Sequence, residues 1–332
     1  MDRVRIKDVA AAAGVSSATV SRVMNDLASV DEELARRVRT AADRLGYRPN
    51  AVARSLRTQA SSVWALIISD IENPFYTAVA RGVEDIARAA GYSVLLCNAD
   101  EDEYKEHQYL AVAQQEQAAG IIISPHSSRS SQEQLSRLRI PLVAIDRPAG
   151  VEADSVFVDS RSGAYQATRH LAESWEHVAC ITGPKDAYTA VERAAGYRSA
   201  IRDAGQARAI VSHVRFKASA GREAVARVLD ANPETDALFV ANAVLTLGCL
   251  EELRARGLVV GRDIGLVGFD DAPWAPLIDP PISVVAQPAN EIGRAAARLL
   301  LERIAGDPDR PIESVVLSTR LVIRSSSLRA SA

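Results

Sequence analysis

The chain has 332 residues, 48% of them hydrophobic and 24% charged, with a formal net charge of −3. That length exceeds one ordinary hydrophobic core and predicts two or three domains. No apolar run approaches the roughly eighteen residues that cross a bilayer, and the charged start from Met1 to Asp8 has no signal-peptide core, so a cytoplasmic protein without a membrane partner is expected.

From Ile6 to Asn25 the chain reads IKDVAAAAGVSSATVSRVMN. Val9, Ala10 and Ala13 recur at helical spacing, as do Val15, Val20 and Val23. Gly14 between them suits a sharp helix-to-helix turn, because positive φ costs it nothing. The outer face of the second run carries Ser17, Ala18, Ser21 and Arg22. Short groups and one arginine able to fork onto a guanine edge can lie against DNA, so the pattern predicts a helix-turn-helix. The same geometry also occurs in helical domains that never touch DNA. Charge favours the DNA reading: residues 1–60 hold eleven Lys and Arg against seven Asp and Glu, whereas the remainder holds 28 against 35. A third helix is expected from about Asp31 to Leu45, with Leu34, Val38, Ala41 and Leu45 on one face. Asp31 would cap it, Glu32 and Glu33 suit its first turn, and Gly46 would end it.

Tyr47-Arg48-Pro49-Asn50 follows, then AVARSLR over residues 51–57. Asn50 is a good N-cap, but two turns of helix are marginal alone, so this segment is expected to be helical only when something holds it. Residues 58–62 read as linker.

From Val63 onward, apolar runs alternate with helical stretches. The runs are WALII (64–68), VLLC (94–97), IIIS (121–124), LVAI (142–145), VFV (156–158), VACI (178–181), VSHV (211–214), ALFV (237–240) and IGLVGF (264–269), with helices expected over 75–90 and 103–117. Continuous apolar strands separated by helices predict parallel sheets covered on both faces. So many strands predict two doubly wound lobes, with a ligand cleft at the strands' carboxyl ends. Polar residues gather at those ends: Asp70 and Asn73, Asn98 and Asp100, Ser124, Asp146-Arg147, Asn242 and Asp270-Asp271, with Arg193 in the helix after the sixth run. For each one alone a capping or loop role is the simpler account; their convergence points to a site for a polar ligand. Cys97, Cys180 and Cys249 read as buried free thiols, and the five histidines lack metal-ligand spacing, so no metal or cofactor is expected. The chain has no GxxxxGK[ST], no GxGxxG after the first strand and no GxSxG elbow, and an enzyme is not expected.

With these segments laid out, the chain resembles the LacI/GalR family of transcriptional regulators from Ile6 to about Ser326. The resemblance rests on the opening segment, LGYRPNAVARSLRT, DIENPFY, VERAAGYRSAI, DIGLVGFDD, the PPISVVAQP run and the closing LVIRSSS. It implies an N-terminal three-helix helix-turn-helix head over 1–47, a hinge helix and linker over 48–60, and a two-lobed, periplasmic-binding-protein-like α/β body over 61–328. The N-lobe would take about 61–157 and 288–316, the C-lobe about 158–287 and 317–328.

The resemblance further implies a homodimer on a palindromic operator in double-stranded DNA. Ser16, Ser17, Ala18, Thr19, Ser21, Arg22 and Asn25 stand at the reading-helix positions, and Tyr47, Asn50, Ala53, Arg54 and Leu56 at those of the hinge. Leu56 matches the family's wedge, which enters the minor groove at a central pyrimidine–purine step, CG by resemblance. A small-molecule effector would be held by Asp70, Phe75, Ser124, Asp146, Arg193, Phe216, Asn242, Asp270, Trp274 and Gln287. A carbohydrate or sugar derivative is the expected class. A purine or nucleoside is the alternative, since the same residues can bracket a flat base; a sugar-binding protein without DNA function is the other. There are departures. Ala243 stands where the family usually has Asp, which predicts a missing acceptor near the site. Arg5 stands where a Ser or Thr cap usually opens the first helix, which predicts fraying. The leucine-heptad tail of tetrameric relatives is not found after Leu328, so a dimer is expected.

Overall fold

The computed structural model describes residues 4–24, 30–47, 61–127, 129, 131–206, 208–306 and 310–329. The chain divides into two compact units, Met1–Ser61 and Ser62–Ala332.

In the first unit, helices α1 (Ile6–Ala13), α2 (Ser17–Met24) and α3 (Glu32–Leu45) close around a small core that includes Val9, Ala13, Val20, Val23, Val38 and Ala42. Gly14 is left-handed, with φ 66°. Arg37 donates from Nη2 to the Ala13 carbonyl at 2.6 Å, tying α3 to the end of α1, and a Cβ on Gly14 would meet that nitrogen at 3.0 Å. Fraying at Arg5 is not seen. The Arg5 N–H donates to Asp8 Oδ2 at 2.7 Å, half of a capping box, so the acid three residues inside supports the end that the arginine side chain cannot. Asp31 caps α3 as expected, Oδ1 accepting from the amides of Glu33 and Leu34. Asn25 and residues 48–60, with the expected hinge helix and the positions of Asn50, Ala53, Arg54 and Leu56, lie outside the described residues.

The second unit holds two six-stranded sheets. The first contains β1 (Val63–Ile68), β2 (Ser93–Asn98), β3 (Gly120–Ile123), β4 (Leu142–Ile145), β5 (Asp154–Val158) and, from much later in the chain, β11 (Ser314–Leu317), in the spatial order β11-β5-β4-β3-β1-β2. The second contains β6 (Val178–Thr182), β7 (Ile210–His213), β8 (Ala237–Val240), β9 (Gly265–Phe269), β10 (Ser283–Ala286) and β12 (Arg320–Val322), in the order β12-β10-β9-β8-β6-β7. Pairing is parallel throughout except for β12, which runs antiparallel to β10. Central strands are apolar along their whole length because helices cover both faces, and β3 is buried at every residue.

Three strands escape the apolar series read from sequence. β11 and β12 are sheet edges with partly exposed residues, and β10 is a four-residue strand between Pro281 and Pro288. The remaining helices are α4 (Pro74–Ala89), α5 (Glu103–Gln115), α6 (Gln132–Arg137), α7 (Ser160–Ala172), α8 (Tyr188–Asp203), α9 (Ala218–Ala231), α10 (Ala243–Ala255) and α11 (Ala289–Ala305). The chain passes between the sheets after β5, β10 and β11, so the two lobes share three connections. Helix α11 packs on α4 through two glycines: a Cβ on Gly82 would lie 2.2 Å from the Asn290 carbonyl oxygen, and one on Gly293 2.1 Å from that of Val79. The three cysteines are free and buried.

Candidate functional site

In the head, the start of α2 is organised by hydroxyls. Ser16 Oγ accepts the Thr19 N–H at 3.1 Å and shares a 2.9 Å hydrogen bond with Thr19 Oγ1, which makes Ser16 the cap of this helix. Val20 and Val23 point into the core, Ala18 and Arg22 are exposed, and Ser17 and Ser21 are half-buried on the same helix. Tyr47, read as a hinge residue, packs partly buried on the head's core, its N–H bonded to the Ala42 carbonyl.

In the body, one cavity lies between the carboxyl ends of the two sheets. From the first sheet it takes Asp70, Asn73, Phe75, Tyr76, Glu101 and Asp146-Arg147. From the second come Thr189, Arg193, Phe216, Asn242, Val244, Asp270 and Gln287. Of the residues expected to hold an effector, Asp70, Phe75, Asp146, Arg193, Phe216, Asn242, Asp270 and Gln287 line this one cavity. Two expected residues do not line it. Trp274 packs, partly buried, against the core of the second lobe. Ser124 stands behind the wall, fully buried, sharing hydrogen bonds with Ser69 Oγ (2.9 Å) and Tyr76 Oη (3.0 Å). It reaches the cavity only through Tyr76, whose O–H donates to Asp146 Oδ2 at 3.0 Å.

Each polar group has a defined engagement. Arg193 stacks 3.7 Å over the Phe269 ring, donates from Nη1 to the Ala241 carbonyl at 2.6 Å and from Nε to Ser160 Oγ at 3.3 Å. Its Nη2 makes no hydrogen bond among the described residues, and is the donor it can offer a ligand. Asn242 caps α10 through Oδ1, leaving its amide NH2 to offer. Gln287 Nε2 donates to Asp270 Oδ1. Arg147 is committed to the protein: it forks onto Glu101 at 2.6 and 2.9 Å and donates to the carbonyls of Pro125 and His126. Lys217, at the start of α9, reaches across from the second lobe to Asp70 Oδ2 (2.9 Å) and Asp100 Oδ1 (2.7 Å) in the first. The free volume inside is about 20 Å3, room for one water rather than a ring.

Burial pushes the Asp270 carboxyl above its ordinary value against the pull of Arg193, and the Ala243 backbone N–H is among the groups that resist it. Burial lowers Arg193, with Asp270 and Asp146 supporting its charge. Burial, then Asp146, lifts Tyr76 far above its ordinary value, so it stays a neutral donor. At Arg147 burial opposes the charge, but Glu101 and the other neighbours outweigh it. Burial raises the Cys97 thiol to about 11 and the thiols of Cys180 and Cys249 further, which keeps all three protonated and unreactive. Among the described residues no group of three His, Cys, Asp or Glu could hold a metal ion.

Sequence reasoning missed Tyr76, Glu101, Thr189, Val244 and Lys217. Tyr76 sits inside the DIENPFY segment but one residue beyond the aromatic singled out. Lys217 did carry a signal, being one of four lysines in a chain with 35 arginines.

A helix-turn-helix unit attached to a two-lobed α/β body with a polar interlobe cavity defines a ligand-responsive DNA-binding regulator. Residues 5–50 match the bacterial regulatory proteins of the lacI family, and residues 168–327 match a periplasmic binding protein-like domain. The ribose operon repressor of Halalkalibacterium halodurans is 34% identical over 325 residues, 97% of this chain and 96% of that one. The transcriptional repressor PurR of Aliivibrio fischeri is 32% identical over 333 residues, 97% of this chain and 98% of that one. Among solved structures, the transcriptional regulator CelR–cellobiose complex superposes with a TM-score of 0.74 at 32% identity, covering 98% of this chain and all of the other. The chain belongs to the LacI family of bacterial transcriptional regulators. No helix among the described residues is long and apolar enough to cross a membrane.

Proposed function

We propose that this regulator is a repressor that binds a palindromic operator as a homodimer and answers to a carbohydrate held between its lobes. The observation that carries the ligand class is the cavity lining: Asp146 from one sheet and Arg193, Asn242, Asp270 and Gln287 from the other, beside Phe75 and Phe216. Carboxylates, amides and a guanidinium suit vicinal hydroxyls, and aromatic rings suit the apolar face of a sugar. The ribose operon repressor and the cellobiose-bound CelR support the same class.

In this reading, residues 1–47 form the DNA-binding head, 48–60 the hinge and 61–328 the effector body. Arg22 and Ala18 read bases, while Ser16, Ser17, Thr19, Ser21 and Asn25 position the helix on phosphates. Tyr47, Asn50, Ala53, Arg54 and Leu56 serve the hinge contact. Effector binding alters lobe closure, and through it the spacing of the paired linkers, with a coupling of about 1–3 kcal/mol. The protein works in the cytoplasm and turns nothing over. A purine is the second reading, favoured by the two phenylalanines at the cavity and by the PurR relative.

The test uses the full chain. An operator is selected from a random duplex library, and ligands are screened by thermal shift against sugars, polyols and nucleobases. A sugar that raises the melting temperature and changes operator affinity supports the proposal. A nucleobase hit replaces the carbohydrate reading, and failure to enrich any palindrome overturns the operator reading.

A further inference from the structure

Only Gly14, Val15 and Ser16 stand between Ala13, the last residue of α1, and Ser17, the first of α2. Whatever fixes the end of α1 therefore sets the direction in which α2 leaves the turn. Part of that end is closed locally. The Val15 N–H bonds the Ala10 carbonyl at 3.0 Å and the Gly14 N–H bonds that of Ala11 at 3.3 Å, the paired bonds of a Schellman turn around a left-handed glycine. The Ala13 carbonyl, at the turn itself, takes no part in that motif. It is met from 24 positions further along the chain, by Nη2 of Arg37 on α3 at 2.6 Å.

The residues around this bond suit it. Helix α1 has no basic side chain in its own last turn, and the Arg37 guanidinium supplies the positive charge that the carboxyl end of a helix favours. A charge-assisted bond of this kind is about twice as strong as a neutral one. Glycine at position 14 leaves room for it, since a Cβ there would stand 3.0 Å from Nη2. Val20 and Val23 hold the middle and end of α2 in the core by apolar packing, which has no preferred direction. The Arg37 bond adds a directional constraint at the turn from which α2 starts.

We propose that Arg37 is a positioning residue for operator recognition: through the Ala13 carbonyl it sets the angle of α2 in the major groove, without itself touching a phosphate. This inference rests on the reading of α2 as the helix that meets base edges. Base-edge hydrogen bonds need a defined distance and angle, so a small rotation of α2 costs discrimination between sequences. Attraction to the phosphate backbone is independent of sequence and tolerates the same rotation. Losing the Arg37 bond therefore weakens the operator complex and spares binding to unrelated DNA.

Arg37→Lys and Arg37→Met in the full chain separate this role from its rivals. Lysine keeps the charge, and with it any phosphate contact, but its ammonium ends one atom short of Nη2. Methionine removes charge and donor together. Anisotropy is measured over a range of salt, on the operator selected from the random library and on an unrelated duplex of the same length, and melting is followed by circular dichroism. Both variants are expected to bind the operator about tenfold more weakly, with affinity for the unrelated duplex within about twofold and the salt slope unchanged. A phosphate contact would instead leave the lysine variant at full affinity and lower the slope of the methionine variant by about 0.9. A head that merely lost stability would melt earlier and release both duplexes in parallel. Either of those results, or operator affinity equal to the parent's in both variants, overturns the inference and leaves the reading of α2 standing. Where methionine unfolds the head, the lysine variant decides. Failure of the parent to enrich any palindrome overturns the reading of α2 and the inference with it.

Discussion

Asp146 and Asp270 occupy equivalent places in the two lobes. Each follows the fourth strand of its sheet in chain order, each is buried, and each is left-handed, with φ 63° and 76°. Aspartate tolerates that conformation better than most residues. In the first lobe a neutral donor from the first body helix, the Tyr76 hydroxyl, supports the carboxylate; in the second a cation from the corresponding helix, Arg193, lends it charge. The two carboxylates therefore present different chemistry to one cavity.

Tyr76→Phe removes a hydroxyl that meets Asp146, Ser69 and Ser124. The serines keep their mutual bond, so the expected loss is about 1–2 kcal/mol of body stability, seen as a lower melting temperature in calorimetry. Effector affinity should fall with it, since Asp146 loses the contact that aims it.

Lys217→Met releases the strap between the lobes. Lys217 is about a third exposed, so the stability change is expected to be small. The readout is shape: the radius of gyration from solution scattering should increase in the variant. An unchanged scattering curve would show that the strap does not hold the lobes together.

Arg193→Met keeps bulk but removes the donor to the Ala241 carbonyl and the charge beside Asp270. About 1–3 kcal/mol of stability should be lost, and effector-induced thermal shifts should disappear even where the variant remains folded.

Asp154 carries a stability contribution with a defined pH sign. Burial opposes its charge, but the Arg303 fork at 2.8 Å and the Glu313 amide outweigh it, holding the carboxyl below its ordinary value. A lowered folded-state pKa means stability present above the ordinary carboxylate range and lost as pH falls through the folded value. Denaturation curves should therefore show Asp154→Asn less stable than the parent at neutral pH, with the gap closing in acid.

Arg22→Ala should weaken the selected operator by about 1–3 kcal/mol and relax preference at one guanine per half-site, measured by anisotropy against single-base variants. A uniform loss across all sequences, with a smaller salt slope, would instead assign Arg22 to phosphate.

The head was legible residue by residue because its rules are local: the spacing of Val9, Ala13, Val20 and Val23, the Asp31 cap, and glycine at two left-handed turns. Even there, the Asp8 support for Arg5 went unread, although an acid three residues in is a local signal. In the body, the central strands showed as apolar runs because both faces are covered. The edge strands β11 and β12 did not, since half of what they show faces solvent.

What the amino-acid order determined by itself was the repeating strand-and-helix rhythm and the gathering of polar residues at the strands' carboxyl ends. Period, capping and apolar continuity act over a few residues and can be read without coordinates. Which of those polar residues meet was decided by tertiary structure alone. Lys217 bonds Asp70 across 147 positions of sequence and Tyr76 bonds Asp146 across 70. Trp274 turns into the lobe's core instead of the cleft, and Ser124 stands behind Tyr76. Such partnerships follow from how two separately packed sheets approach, and no local periodicity records that approach.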